Sequence, residues 1–359
     1  MLKPRPSRLA VRIMPATRRR FLQTFAAGAA GLLAACGRAG PEKAAPATTG
    51  NPYAALEAGR FLGDRRVLAE ITTGPAFTEG PAVGPDGRVF FTNIPANQIL
   101  VWDPATQRHT VFREDSHGAN GLCFTPGGDL LVCEGTAGRI TRLDPSMGRV
   151  TVLADRYDGQ PLQAPNDLCL AANGQLYVSS RGTQGPPTSN PRAVYWLDPD
   201  GTLHRLLAEP DVHNPNGVAL SPDEQTFYLI EADGAEGRNR HLRAYDRAAD
   251  GSLHRPRVLY DFYPGRSGDG MAVDAQGNLY VAAGLHARRD TSETLDTRPG
   301  IHVFTPQGVL VDYAETPVDT VTNCTFGGED LRTLYVTCGP LLLSFRTQIP
   351  GKANYRIGA

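Results

Sequence analysis

Asn214-Pro215-Asn216-Gly217-Val218-Ala219-Leu220-Ser221-Pro222-Asp223 sets a polar residue before a short apolar run and closes the run with turn formers. Related stretches surround Glu79, Asn120, Asn166, Asp269 and Asn323, so with Asn216 there are six copies. In each copy that residue stands eight positions before the one that turns the chain into the next strand: Gly87, Gly128, Gly174, Glu224, Gly277 and Leu331. The offset stays constant while the repeat spacing drifts through 41, 46, 50, 53 and 54 residues. A period of roughly 40 to 50 residues built from short strands is the signature of a β-propeller. The expected fold is therefore all-β, a propeller of six blades.

Equivalent positions in a propeller share one height and one distance from the axis. Glu79, Asn120, Asn166, Asn216, Asp269 and Asn323 should then converge at one mouth of the channel, as a column of side-chain oxygens. Asn and Asp are common where strands begin, which accounts for some of the copies. Glu is a poor turn residue, and an oxygen in every copy favours a site.

The remaining segments fit around this repeat. Blade six ends at Leu341–Phe345 one strand short, and Val67, Leu68 and Ile71 precede the first copy. An N-terminal strand over residues 65–71 should therefore close the ring as the outer strand of blade six. Longer insertions at 181–192, 232–240 and 284–299 follow the second strands of blades three, four and five. They leave the sheets near the column end and bring Arg181, Arg238, Asn239, His286, Arg288 and Arg289. The domain reading is a signal segment at 1–35, a flexible tether at 36–59, the propeller at 60–350 and a C-terminal tail at 351–359.

The N-terminus carries targeting information. Thr17-Arg18-Arg19-Arg20-Phe21-Leu22-Gln23 resembles a twin-arginine export motif. An apolar run from Phe25 to Ala35 follows, about half the length a membrane-spanning helix needs. Leu33-Ala34-Ala35-Cys36 resembles a bacterial lipoprotein signal, with Cys36 as the lipidated residue. The expectation is an exported protein of the periplasm or cell envelope, held to the membrane only through that lipid.

The first 35 residues hold seven Lys or Arg and no acid, leaving 29 basic and 37 acidic residues in the remainder. A mildly acidic domain without a basic, aromatic-studded face is not expected to bind nucleic acid. A monomer with a small-molecule substrate is the simplest expectation. Beyond Cys36 the cysteines are Cys123, Cys133, Cys169, Cys324 and Cys338, none in a zinc-type spacing. Cys123 with Cys133, and Cys324 with Cys338, lie on adjacent strands and could pair. Nucleophile and phosphate-loop motifs are absent from the sequence.

Two carboxylates and several carboxamides form a site of hard oxygens suited to one divalent cation. Ca²⁺ accepts about six to eight oxygens in irregular geometry, whereas Mg²⁺ demands a stricter octahedron. Ca²⁺ is the first expectation, with Mg²⁺, Mn²⁺ and Zn²⁺ as alternatives. Such an ion can polarise a carbonyl or phosphoryl oxygen and orient a water. Asp269 is the candidate acid/base, because Glu79 has the character of a fixed ligand on an inner strand.

At these residues the chain resembles the family of gluconolactonases and senescence marker protein 30 (regucalcin). The resemblance covers about residues 65 to 346. It rests on Phe77-Thr78-Glu79-Gly80-Pro81, Asn120-Gly121-Leu122, Ala164-Pro165-Asn166-Asp167, the stretch from Pro215 to Asp223, Gly268-Asp269-Gly270-Met271 and Asn323-Cys324-Thr325-Phe326. It implies a metal held by Glu79, Asn216 and Asp269, with Asn166 as a fourth ligand or substrate contact. It also implies Asp269 as the acid/base and a sugar lactone as substrate. Substrate contacts are expected from Asn120, Asn166, Asp167 and Asn323. The chain departs from the family pattern at Ala164, where an Arg is common, and at Ser179-Ser180, where Thr-Asp is common. The reading is a metal-dependent sugar lactonase. The alternatives are a phosphotriester hydrolase using the same site, and a binding propeller with a structural Ca²⁺.

Overall fold

The turn that ends each inner strand fixes the blade. Gly87, Gly128, Gly174 and Gly277 have φ between 81° and 89°, and Glu224 and Leu331, which replace glycine in two copies, have φ of 57°. Each closes a turn by donating its N–H three residues back, as in Gly87 to Gly84 O and Leu331 to Gly328 O. A turn of this kind with a left-handed residue is a short hairpin connection. In the computed structural model, which describes residues 50–57, 59–182 and 190–352, these hairpins open six four-stranded antiparallel sheets. Among the described residues there is no helix. The export motif, Cys36, the first part of the expected tether and the residues after Lys352 lie outside the described residues.

The inner strands are Thr78–Val83, Ala119–Phe124, Pro165–Leu170, Pro215–Leu220, Gly268–Val273 and Val321–Gly327. All but a few of their residues are buried, whereas outer strands such as Arg108–Arg113 and Val150–Ala154 are largely exposed. The apolar core lies between blades, not within them. One cluster fills each of the six interfaces, such as Ala82, Phe90, Leu122 and Leu130 between blades one and two. Fully burying side chains of this kind contributes about 1.5–3 kcal/mol each.

The ring closes as expected. The N-terminal strand Leu62–Glu70 pairs antiparallel with Leu341–Thr347, making it the outer strand of blade six. Closure protects a sheet edge that would otherwise expose unpaired backbone groups. The amides of Phe61 and Leu62 both donate to the buried Asp312 carboxylate, at 2.6 and 3.0 Å. Ahead of this strand Tyr53, in the stretch read as a tether, docks on blade five. Its hydroxyl lies 2.8 Å from His302 Nε2, and the Arg298 guanidinium covers its ring.

The chain also holds on past the last blade. Gly351 bridges to Asp274, and Lys352 Nζ meets Glu224 Oε1 at 2.6 Å. These contacts engage both non-glycine turn residues, since Gly351 N donates to Leu331 O. Lys352 borders an axial cavity of about 90 Å³, shared with Asp167, Cys169, Val218, Asn323 and Cys324.

The two cysteine pairings that the sequence left open do not form: none of the five described cysteines is in a disulfide, and all are buried. Strand register is the reason: Cys123 lies across from Leu131, not Cys133, and Cys324 lies across from Val336, not Cys338.

Candidate active site

The site is built by a defect repeated in every inner strand. Ladder pairing skips from Glu79 to Ala82, Ala119 to Leu122, Pro165 to Leu168, Pro215 to Val218, Gly268 to Met271 and Val321 to Asn323. A bulge bends its strand and re-aims a side chain. In blades two to five the skipped residues are the column member and its successor: Asn120-Gly121, Asn166-Asp167, Asn216-Gly217 and Asp269-Gly270. The glycines let neighbouring blades touch at this height. A Cβ on Gly121 would stand 2.6 Å from the Asn166 carbonyl oxygen, and one on Gly217 would stand 2.6 Å from that of Asp269. Gly80 meets Asn120, and Gly270 meets the Asn323 side chain, in the same way. The six repeats are thus stacked shoulder to shoulder around the axis.

Three members are brought into one polar cluster. Asn216 Nδ2 donates to Asp269 Oδ1 at 2.5 Å. Glu79 is 4% exposed and feels the charge of Asp269. Asn166 is buried in the same ring and Asn120 is partly exposed there. Among the described residues neither of their amides bonds to another member of the column. Asp167 and Asn323 differ from the rest, because they border the axial cavity behind the ring. Asp167 Oδ1 accepts from Leu168 N at 2.9 Å, and its carboxyl also takes bonds from Val218 N and the Asn323 amide.

Electrostatics set these acids apart. Burial holds the Glu79 carboxyl well above the usual carboxylate range, and repulsion from Asp269 adds to it. One hydrogen bond, from its neighbour Gly80 N at 2.9 Å, acts against that. Burial likewise pushes Asp167 up to about 7, although two backbone amides and Asn323 oppose the shift. Buried charge is costly unless paired and hydrogen-bonded. Glu79 has neither a cation on it nor a full set of donors. The donor set therefore fits a hard divalent cation, with Glu79, Asp269, Asn216 and Asn166 as the residues to hold it. Asn216 turns its amide nitrogen toward Asp269 in this arrangement; half a turn of the amide would present its oxygen instead.

Sequence reading missed Arg266. Its Nη2 lies 2.5 Å from Asp269 Oδ2, and the pair is almost fully buried. No periodic signal marks this position, which stands three residues before Asp269 in the connection between blades. The described parts of the long insertions are tied to one another and to their neighbours. Arg192 and Arg238 both bind Asp233 Oδ2 at 3.2 Å, clamping the loops of blades three and four. The fully buried Arg240 donates to the carbonyls of Asp233, Gly234, Ala235, Pro264 and Gly265 and to Ser292 Oγ, joining the loops of blades four and five. His286 and Ala287 donate backbone N–H groups to Asp319, tying the loop of blade five to blade six. Asn239 and His286 are used as wall contacts, the former on Glu231 and the latter on Thr316 O. Across from Ala164, which departs from the family pattern, Arg181 N donates to Ala164 O at 3.2 Å, and the Arg181 side chain donates Nε to Asn214 Oδ1 at 3.2 Å.

Comparison with known proteins agrees with this architecture. The chain is 27% identical over 303 residues to a gluconolactonase of Zymomonas mobilis subsp. mobilis, covering 77% of this chain and 80% of that protein. It is 27% identical over 275 residues to the pentonolactonase XacC of Haloferax volcanii, covering 76% and 84%. The solved structure of XC5397 from Xanthomonas campestris, a gluconolactonase important in glucose secondary metabolic pathways, superposes with a TM-score of 0.67 at 28% identity, covering 79% of this chain and 89% of that one. Residues 77–339, which carry five of the six blades and the two inner strands of the sixth, match the SMP-30/Gluconolactonase/LRE-like region, and the chain belongs to that family.

Proposed function

We propose that this propeller opens a sugar lactone by hydrolysis at the column mouth, with one divalent cation, Ca²⁺ first, held by Glu79, Asn216, Asp269 and Asn166. The observation that carries the reading is Glu79, a buried carboxylate beside a second one, which among the described residues accepts a single hydrogen bond and forms no ion pair. Membership of a family whose relatives include gluconolactonase and pentonolactonase supports lactones as the substrate class.

When bound, the cation supplies electrophilic polarisation of the lactone carbonyl. The chain's own residues do the rest. Arg266 holds Asp269 Oδ2, and Oδ1, which here accepts from the Asn216 amide, is the oxygen that half a turn of that amide would release to a water. Asp269 Oδ1 accepts a proton from the attacking water as the water oxygen bonds to the carbonyl carbon. The carbon–ring-oxygen bond then breaks, and Asp269 returns the proton to the departing ring oxygen. The product is the open hydroxy acid. Asn120 and Asn166 are placed to bind substrate hydroxyls. Asp167 and Asn323 brace the ring from behind. The walls of blades three to five limit water at the mouth.

The experiment is turnover of a panel of sugar lactones before and after chelation, with a phosphotriester as comparison. Hydrolysis of at least one lactone, lost on chelation and restored by Ca²⁺, is the expected result. Turnover of the phosphotriester alone would assign the other reaction class. Metal binding without any turnover would leave a binding propeller.

Export and anchoring belong to the same proposal. Thr17–Gln23 and Leu33–Cys36 support a lipoprotein whose mature chain begins at Cys36. Among the described residues no helix is long and apolar enough to cross a membrane. Cys36→Ser should abolish processing or release the protein from membranes; full processing with unchanged membrane attachment would defeat the anchor.

A further inference from the structure

Most arginines near the mouth are fully used. Arg192 and Arg238 bind Asp233, Arg240 binds carbonyls, and Arg243 binds Glu231. Two are not. Arg181, from blade three, spends only Nε on a side chain, the Asn214 amide oxygen at 3.2 Å, and among the described residues forms no ion pair. Its charge acts on Glu79 nonetheless. Arg289, from the loop of blade five, donates Nη2 to Thr320 Oγ1 and likewise forms no ion pair among the described residues. The nearby Asp319 carboxylate is taken up by the amides of His286 and Ala287. Glu293 also acts on Arg289 at longer range, while the charge of Arg266 repels it and that of Asp269 attracts it.

Arg181 thus reaches the start of blade four's inner strand, through Asn214, and Arg289 the start of blade six's, through Thr320, and each is within electrostatic reach of the buried carboxylate cluster. Each retains most of a guanidinium's five donors. A cation on Glu79 and Asp269 would use the charge that now attracts both arginines, leaving them short of an anion. A planar guanidinium fork matches the oxygens of a carboxylate or phosphate.

We propose that the substrate carries an anionic oxygen group remote from the lactone carbonyl, and that Arg181 and Arg289 bind it. This rests on the lactone reading, and the test separates the two. Binding of three open-chain acids, D-gluconate, D-glucarate and 6-phospho-D-gluconate, is measured by calorimetry on the Ca²⁺-loaded protein, alongside kcat/KM on the corresponding lactones. At least one of the doubly anionic acids should bind about tenfold more tightly than gluconate, the gain expected from a charged hydrogen bond. Glucarate as the favoured ligand identifies a carboxylate, and phosphogluconate a phosphate. Arg181→Gln and Arg289→Gln should each remove most of the advantage, Arg289→Lys should restore part of it, and salt should weaken it.

Equal binding of the three acids, or an advantage that survives both Gln variants, overturns the proposal, even where the neutral lactone is opened. Preference for a doubly anionic acid without hydrolysis of any lactone upholds the anion site and discards the lactone reading.

Discussion

Glu134 and Glu231 are as deeply buried as Glu79, yet they are treated very differently. Glu134 receives Arg113 at 2.9 Å, Arg139 at 2.5 Å and the Thr141 hydroxyl at 3.1 Å. Glu231 receives Arg243 at 2.8 Å, the His213 amide at 2.7 Å and the Asn239 amide. Both sit at the ends of second strands, in Leu130–Glu134 and Thr226–Glu231. Glu79, at the start of a first strand, has the Gly80 amide and a second carboxylate for company. One set of acids is completed by the protein. The other is left incomplete at the point where the inner strands meet, and in the function proposed above a divalent cation completes it. Arg266 on Asp269 is the single built-in positive charge in direct contact with the incomplete set among the described residues.

The largest effect should come from chemistry. Asp269→Asn keeps the shape and one oxygen but removes the basic one, and kcat should fall by about 10²–10⁴. Equilibrium metal content is measured in parallel. Wild-type kcat with cation retained would remove Asp269 from the base role.

Next comes the completed set. Arg243→Met leaves Glu231 buried without its cation, and breaking such a pair costs about 3–5 kcal/mol. Denaturant unfolding reads this directly. A loss below about 1 kcal/mol, the scale of an exposed pair, would mean that Glu231 is completed by its other partners alone.

The incomplete set should respond with the opposite sign. Glu79→Gln removes a charge that the cation-free protein holds at a cost, so the chelated variant should unfold later than chelated wild type, by about 1 kcal/mol. Destabilisation on that scale would show that Glu79 is already satisfied, and the contrast with Glu231 would collapse.

Much of this was legible in the sequence, for a physical reason. A constant offset of eight residues demands a constant local structure. The left-handed turn residues supply it, even where Glu224 and Leu331 replace glycine. The short sixth blade likewise predicted the closing strand. The rest depends on contacts between parts of the chain that share no local pattern. Arg266 meets Asp269 across a blade connection without periodicity. Gly351 and Lys352 reach Asp274 and Glu224, and Tyr53 reaches His302. Column membership fixed height and radius but not the direction of each side chain, which is why Asn323, a member, borders the axial cavity together with Asp167, the residue after a member. Adjacent strands suggested the cysteine pairs, and register undid them.

Calorimetric titration of Ca²⁺ into chelator-stripped protein tests the central claim most directly, run side by side on wild type, Glu79→Gln and Glu231→Gln. Wild type should bind one ion per chain and gain about 2.7 kcal/mol of stability at a hundredfold excess over Kd. Glu79→Gln should lose that binding while remaining folded. Glu231→Gln should be less stable yet bind Ca²⁺ as wild type does. An unchanged Ca²⁺ affinity in Glu79→Gln, or no binding by wild type, would contradict the account.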